Sequence, residues 1–216
     1  MCGRVNVTDD PAVRALCECL GVDLGPDPVQ IRFNIAPGEP LLTLYKPADK
    51  IEKAEMEWGI VPPWTKPGKF SRPLINARAE TIWEKPSFRK LITRQRAAAI
   101  VTGFYEWKRE HGTKRAFHFH PRGNLVFAIA AIWQVSKHGV LQICLITTGP
   151  NQVMEPIHNR MPVLLAPESI RTWLENDDRE TLNNLMIPPP DEWITAYEVS
   201  DYVNDARHEG PECIEP

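Results

Sequence analysis

The amino-acid sequence predicts an α+β fold: one compact domain over residues 1–216, with a largely antiparallel, barrel-like β-sheet and flanking helices. Three observations lead there. Segments with strand character outnumber those with helical periodicity, and the two kinds do not alternate regularly. Glycines and prolines, 12 and 21 of the 216 residues, punctuate the chain, yet no repeat or low-complexity linker divides it. A content of 43% hydrophobic and 25% charged residues suits a globular chain with a proper core.

The elements follow in order. Thr8-Asp9-Asp10-Pro11 supplies an N-cap and an early proline, and Gly21 a stop, so residues 9–20 read as a helix. Leu41–Lys46 and Ile51–Trp58 read as strands joined around Pro47-Ala48-Asp49, and Pro86–Arg94 as a short basic helix. Ala97–Trp107, Ala116–His120, Leu125–Trp133 and Val140–Thr147 read as strands separated by glycine turns. Pro162–Leu165 reads as a short strand, Pro167–Glu175 and Arg179–Met186 as helices, and Trp193–Val199 as a late strand. Prolines also flank polar motifs, as in Val61-Pro62-Pro63-Trp64 and Met161-Pro162, and such stiff loops suit a preorganised site.

Composition narrows the function. The longest apolar runs, such as Leu125–Ile132, are too short to span a bilayer, and the N-terminus lacks the pattern of a signal peptide. The expectation is a cytoplasmic, nucleoid-associated protein. Five cysteines without framework spacing point to reduced thiols, with Cys17, Cys19 and Cys144 expected as small core residues. The net charge of −3 hides a strong asymmetry: residues 61–125 hold 14 Lys and Arg against 4 Asp and Glu, and residues 161–216 hold 3 against 13. Either a basic face meets a polyanion, or folding interleaves the two segments and cancels the field.

Met1-Cys2-Gly3-Arg4 is the sharpest motif. A small second residue permits removal of Met1, which leaves a terminal α-amine beside a thiol. This 1,2-aminothiol condenses with an aldehyde to an imine and closes to a thiazolidine. The amine titrates near pH ~8, so a useful neutral fraction exists at pH 7. Glu106 sits between Tyr105 and Trp107, where desolvation suits general acid/base work. His158 can shuttle protons, and Arg160 shares its face if the stretch is extended. Asn76 and Arg78 lie two apart, Asn34 precedes Ile35-Ala36-Pro37, and Trp58 and Trp64 bracket a Pro-Pro loop with rings able to stack on bases. His118 and His120 alternate on a strand and read as a solvated face rather than a metal pair.

Taken in order, Met1-Cys2-Gly3-Arg4, Phe33-Asn34-Ile35-Ala36-Pro37, Trp58-Gly59 to Trp64, Asn76-Ala77-Arg78-Ala79-Glu80, Gly103-Phe104-Tyr105-Glu106-Trp107 and His158-Asn159-Arg160-Met161-Pro162 resemble the SRAP family (SOS-response-associated peptidase), also called abasic-site processing proteins. The resemblance implies a β-rich domain with a groove for single-stranded DNA. It implies that Cys2, after loss of Met1, forms a thiazolidine with the ring-opened sugar of an abasic site. Asn76, Glu106 and His158 match the other active-site positions, Glu106 assisting proton transfers and His158 helping to open the sugar and handle the imine. Arg4, Arg78 and Arg160 match phosphate-gripping positions, and Asn34 and Trp64 match groove-lining ones. Pro86 stands where some relatives place a phosphate-contacting arginine, with Lys85 available as a substitute. The partner implied is single-stranded DNA containing abasic sites; no metal, cofactor or membrane is expected, and the protein is expected to be a monomer. The family is also credited with autocatalytic removal of Met1 and with a suspected peptidase activity. Rival readings are a thiol peptidase using Cys2 and His158, an N-terminal-nucleophile amidase, and a single-strand binding module without chemistry. The amidase reading lacks an Asn-Gly turn for its oxyanion hole.

Overall fold

A computed structural model describes residues 2–65, 72–110, 112–123 and 127–216. The strands are β1 (Val5–Val7), β2 (Arg32–Ile35), β3 (Pro40–Tyr45), β4 (Glu52–Trp58), β5 (Asn76–Arg78), β6 (Arg96–Val101), β7 (Gly103–Glu110), β8 (Thr113–Pro121), β9 (Phe127–Val135), β10 (Leu141–Thr148), β11 (Met161–Pro162), β12 (Leu164–Leu165) and β13 (Ile194–Val199). The helices are α1 (Asp10–Cys19), α2 (Leu91–Arg94), α3 (Pro167–Glu175) and α4 (Arg179–Leu185).

Five strands close a barrel. β3 pairs antiparallel with β4 and β6, β6 with β9, and β9 with β10; β10 returns to β4 in parallel register. β5, β11 and β12 extend its rim. The second sheet has the order β13-β8-β7-β1-β2 and is antiparallel. Small residues let the barrel wall pack on both faces: Ala97 and Ala98 of β6 lie opposite Ala131 and Ala130 of β9. Trp173 of α3 covers this patch and donates its Nε1–H to the Ala97 carbonyl over 2.9 Å.

The helices follow their caps. Asp9 accepts from the Ala12 N–H at 3.0 Å to start α1, which buries Val13, Leu16 and Cys17 at helical spacing. Asp178 caps α4 through the Thr181 N–H at 2.8 Å. The expected helix over Pro86–Arg94 is helical only at Leu91–Arg94, with turns before it.

The expected strand Ala97–Trp107 is two strands. Thr102 separates them: its N–H donates to the Asn6 carbonyl at 2.9 Å, and the chain leaves the barrel for the second sheet. Gly103 then allows a close approach, because a Cβ there would lie 2.4 Å from His118 Nε2 and 2.8 Å from the Phe119 carbonyl. The start of the expected strand at Leu125 falls outside the described residues.

The expected environments of Cys19 and His118 need correction. Cys19 is exposed, because it lies on the outer face of α1, while Cys17 and Cys144 are buried. His118 is 5% exposed rather than solvated. Its β8 position faces β1 and β13, where its ring contacts Asn6 and the Tyr197 hydroxyl. The opposed charge segments are partly interleaved, through Arg96 with Asp177 and Arg115 with Glu198.

Candidate active site at the junction of the two sheets

β1 delivers Cys2 to the junction. Val5 pairs with Phe104 and Asn6 with Gly103, and the Tyr105 N–H donates to the Arg4 carbonyl at 2.9 Å. Continuing this antiparallel register sets Gly3 opposite Glu106. Cys2 is fully buried, and its carbonyl accepts a 2.7 Å bond from Asn76 Nδ2. Asn76 lies on β5, opposite Leu145 of β10, so this bond ties the segment leading into β1 to the barrel rim. Burial foremost, and then the Glu106 carboxylate, push the Cys2 thiol from 9.0 up to about 12. The thiol is therefore held protonated at neutral pH.

Glu106 is 4% exposed, and its Oε1 lies 3.8 Å from His158 Nε2. His158 sits in the turn between β10 and β11. Asn151 Oδ1 accepts the Met154 N–H at 3.1 Å, and the His158 N–H donates to the Met154 carbonyl at 3.0 Å, which fixes this turn. His158 Nδ1 lies 3.0 Å from the Arg160 N–H and 3.2 Å from the Arg160 carbonyl. A neutral ring accepts from the first and keeps its proton on Nε2, facing Glu106. The Arg160 N–H thus fixes the ring with Nδ1 as acceptor and Nε2 towards Glu106.

A cleft of about 440 Å³ opens over the pair. Glu106, Trp107 and Arg109 of β7, Lys114 of β8, and His158 with its neighbours Ile157 and Asn159 line it. Arg109 and Lys114 were not singled out from the sequence; their signal was the two basic pairs Lys108-Arg109 and Lys114-Arg115 that flank the β7–β8 turn.

The remaining predicted residues divide by exposure. Trp64 is 59% exposed and Arg78 is exposed. Arg160 is half-buried: it makes two bonds to Glu80, at 2.6 and 3.0 Å, and one to the Thr147 carbonyl at 2.7 Å. Arg4 and Asn34 are buried instead of lining an open groove. Arg4 donates to Asn34 Oδ1 at 2.6 Å and to the Val203 carbonyl at 2.9 Å. Asn34 in turn donates to the carbonyls of Asp205 and His208 at 2.9 and 2.8 Å. Together they clamp β1 and β2 to the C-terminal segment. Among the described residues no group of His, Cys, Asp and Glu could hold a metal ion, and no helix is long and apolar enough to cross a membrane.

A family model described as SOS response associated peptidase (SRAP) matches residues 1–206. The chain belongs to the SRAP family. This SRAP chain is 38% identical over 190 residues to the abasic site processing protein YoqW of Bacillus subtilis (strain 168), with 85% of each covered. It is 29% identical to the abasic site processing protein YedK of Escherichia coli (strain K12), with 100% of each covered. The abasic site processing protein HMCES of Xenopus tropicalis is 28% identical, covering 99% of the SRAP chain and 78% of the relative. A solved structure of a protein from Bordetella bronchiseptica shares the fold, with a TM-score of 0.77 at 19% identity over 92% of the SRAP chain and 100% of the other.

Proposed function

We propose that this SRAP chain processes abasic sites in DNA, and that it does so by capturing the ring-opened sugar in single-stranded DNA as a thiazolidine on Cys2. The observation that carries the reading is the meeting, at one sheet junction, of a buried Cys2 held by Asn76 with the Glu106–His158 pair. Relatives across nearly the whole chain bear the name abasic site processing protein, which supports the substrate class.

Removal of Met1 turns the Cys2 nitrogen from an amide into an amine. That amine adds to the sugar aldehyde, and loss of one water gives an imine. The thiol sulfur then adds to the imine carbon while a proton reaches the nitrogen, closing a five-membered ring. Each step moves a proton, and Glu106 and His158 are suited to hold and return it. The amine reacts first and the sulfur closes the ring second. A thiol peptidase uses Cys2 as a thiolate and leaves the 1,2-aminothiol of the processed terminus without a role. Arg78, Arg160 and Trp64 serve as strand contacts, with Arg160 exchanging Glu80 for a phosphate. Arg4 and Asn34 act from behind, by fixing β1.

The test is incubation with single-stranded DNA carrying one abasic site, followed by a heat-denaturing gel. Wild type should give a heat-stable adduct. Cys2→Ala should give only a labile imine. Equal heat-stable adduct from both would overturn the reading.

A further inference from the structure

The β7–β8 hairpin bears a row of charges near its tip, and most are neutralised. Lys108 Nζ lies 3.3 Å from Glu110, and Arg115 lies 3.3 Å from Glu110 and 3.0 Å from Glu198 of β13. Arg109 and Lys114 differ. The antiparallel register sets them directly opposite one another. Among the described residues neither forms an ion pair with a carboxylate. Like charges directly opposed across two strands destabilise the pair.

This repulsion sits on the wall of the cleft that holds Glu106 and His158. The Lys114 ammonium lies 4.4 Å from the centroid of the Trp107 ring, a contact that holds the cation at the cleft. Partial burial, and then repulsion from Arg109 and Arg4, depress Lys114 below the ordinary lysine range. An anion between the two cations would relieve both the repulsion and the depressed basicity.

The ligand follows from the donor set. A guanidinium offers a planar fork and an ammonium a point charge, and the two converge on a group with two or more acceptor oxygens. Glu106, deeper in the same cleft, repels an anion from the floor and favours a neutral group there. We propose that Arg109 and Lys114 form a phosphate subsite at the cleft rim, gripping the backbone phosphate next to the sugar presented to Cys2. The proposal rests on the reading of this cleft as a DNA site. Arg78 and Arg160 stand on the barrel rim and the turn beside it, so the strand would be gripped from both sides of the junction.

The test uses the full chain and a short fluorescent oligothymidylate without an abasic site, with anisotropy measured across a chloride titration. Arg109→Ala and Lys114→Ala should each weaken binding at low salt and flatten the log–log salt slope by about 0.7, the single-strand value per neutralised charge. Lys114→Glu reverses the charge at the rim and should weaken DNA binding more than Lys114→Ala does. Wild-type slopes in both alanine variants, or wild-type affinity in Lys114→Glu, would overturn the subsite. Inorganic phosphate should displace the oligonucleotide from wild type beyond an ionic-strength-matched chloride control and lose that extra effect in both alanine variants; an extra effect undiminished in both variants would place the phosphate site elsewhere and overturn the subsite. The capture chemistry fails separately. Flattened slopes with no wild-type crosslink to abasic DNA would sink capture and leave the subsite standing. A normal crosslink with unchanged slopes would sink the subsite alone.

Discussion

His118 couples the site-bearing strand to acid stability, and its effect can be worked through. The Asn6 amide nitrogen can only donate, so His118 Nε2, 2.8 Å away, accepts. The ring proton then sits on Nδ1 and is given to the Tyr197 hydroxyl at 3.1 Å, which itself donates to the Ile214 carbonyl at 2.7 Å. A second proton would set an N–H against the Asn6 amide on β1. Burial, and then neighbouring His120, lower His118 from 6.5 to about 3. The folded state thus binds the proton more weakly than the unfolded one. The stability His118 contributes is complete above pH 6.5 and is lost as pH falls from 6.5 towards 3. At pH 5 the loss reaches about 2 kcal/mol, from roughly 1.5 pH units at 1.36 kcal/mol each. For a chain of this size that corresponds to a melting temperature lower by about 4–8 °C. The assay is thermal unfolding of wild type and His118→Gln at pH 7 and pH 5. The variant should melt lower at pH 7 yet lose about 4–8 °C less than wild type on acidification. An equal drop in both proteins would refute the buried, neutral histidine.

Further outcomes follow from the same geometry. Gly103→Ala should cost about 1–3 kcal/mol in chemical denaturation, because its Cβ would meet His118 Nε2, the Phe119 carbonyl and Asn6 Oδ1 at 2.4, 2.8 and 2.9 Å; a wild-type midpoint would show that β7 can shift to make room. Glu106→Gln and His158→Ala should bind DNA normally but slow single-turnover adduct formation by ~10²–10⁴-fold, and unchanged rates in both would leave the pair without a chemical role. Arg78→Ala should weaken binding to all strand sequences alike and flatten the salt slope by about 0.7, whereas a sequence-dependent loss would argue against a phosphate contact.

Much of this was legible in the sequence, for identifiable reasons. α1 declares itself through Asp9, Pro11 and Gly21, β6, β9 and β10 through apolar runs bounded by turns, and β4 through the alternation of Ala54, Met56 and Trp58 with charged residues. β1, β2 and β5 were not legible, because three or four residues carry no period; Val5-Asn6-Val7 is buried at every position and so shows no alternation. The break at Thr102 was hidden because apolar residues continue through it, and only the pairing of its N–H with Asn6 reveals the change of sheet. In the site, Cys2, Asn76, Glu106 and His158 came from ordered motifs. Their meeting depends on a β1–β7 register and a β5–β10 register that no local pattern encodes. The family resemblance implies a phosphate-gripping position for Arg4 and a groove-lining one for Asn34. They are interior because the C-terminal segment supplies carbonyls to both.

The central claim is that a free Cys2 amine and its thiol act together, and the mass of the adduct peptide tests it most directly. Protein reacted with abasic single-stranded DNA is digested, and the N-terminal peptide is weighed alongside that of a variant whose uncleavable N-terminal extension keeps the Cys2 nitrogen an amide. The account predicts a wild-type peptide that begins at Cys2, joined to the sugar with the loss of one water, and no heat-stable adduct from the extended variant. A full yield of adduct on a peptide that retains Met1 or the extension would contradict it.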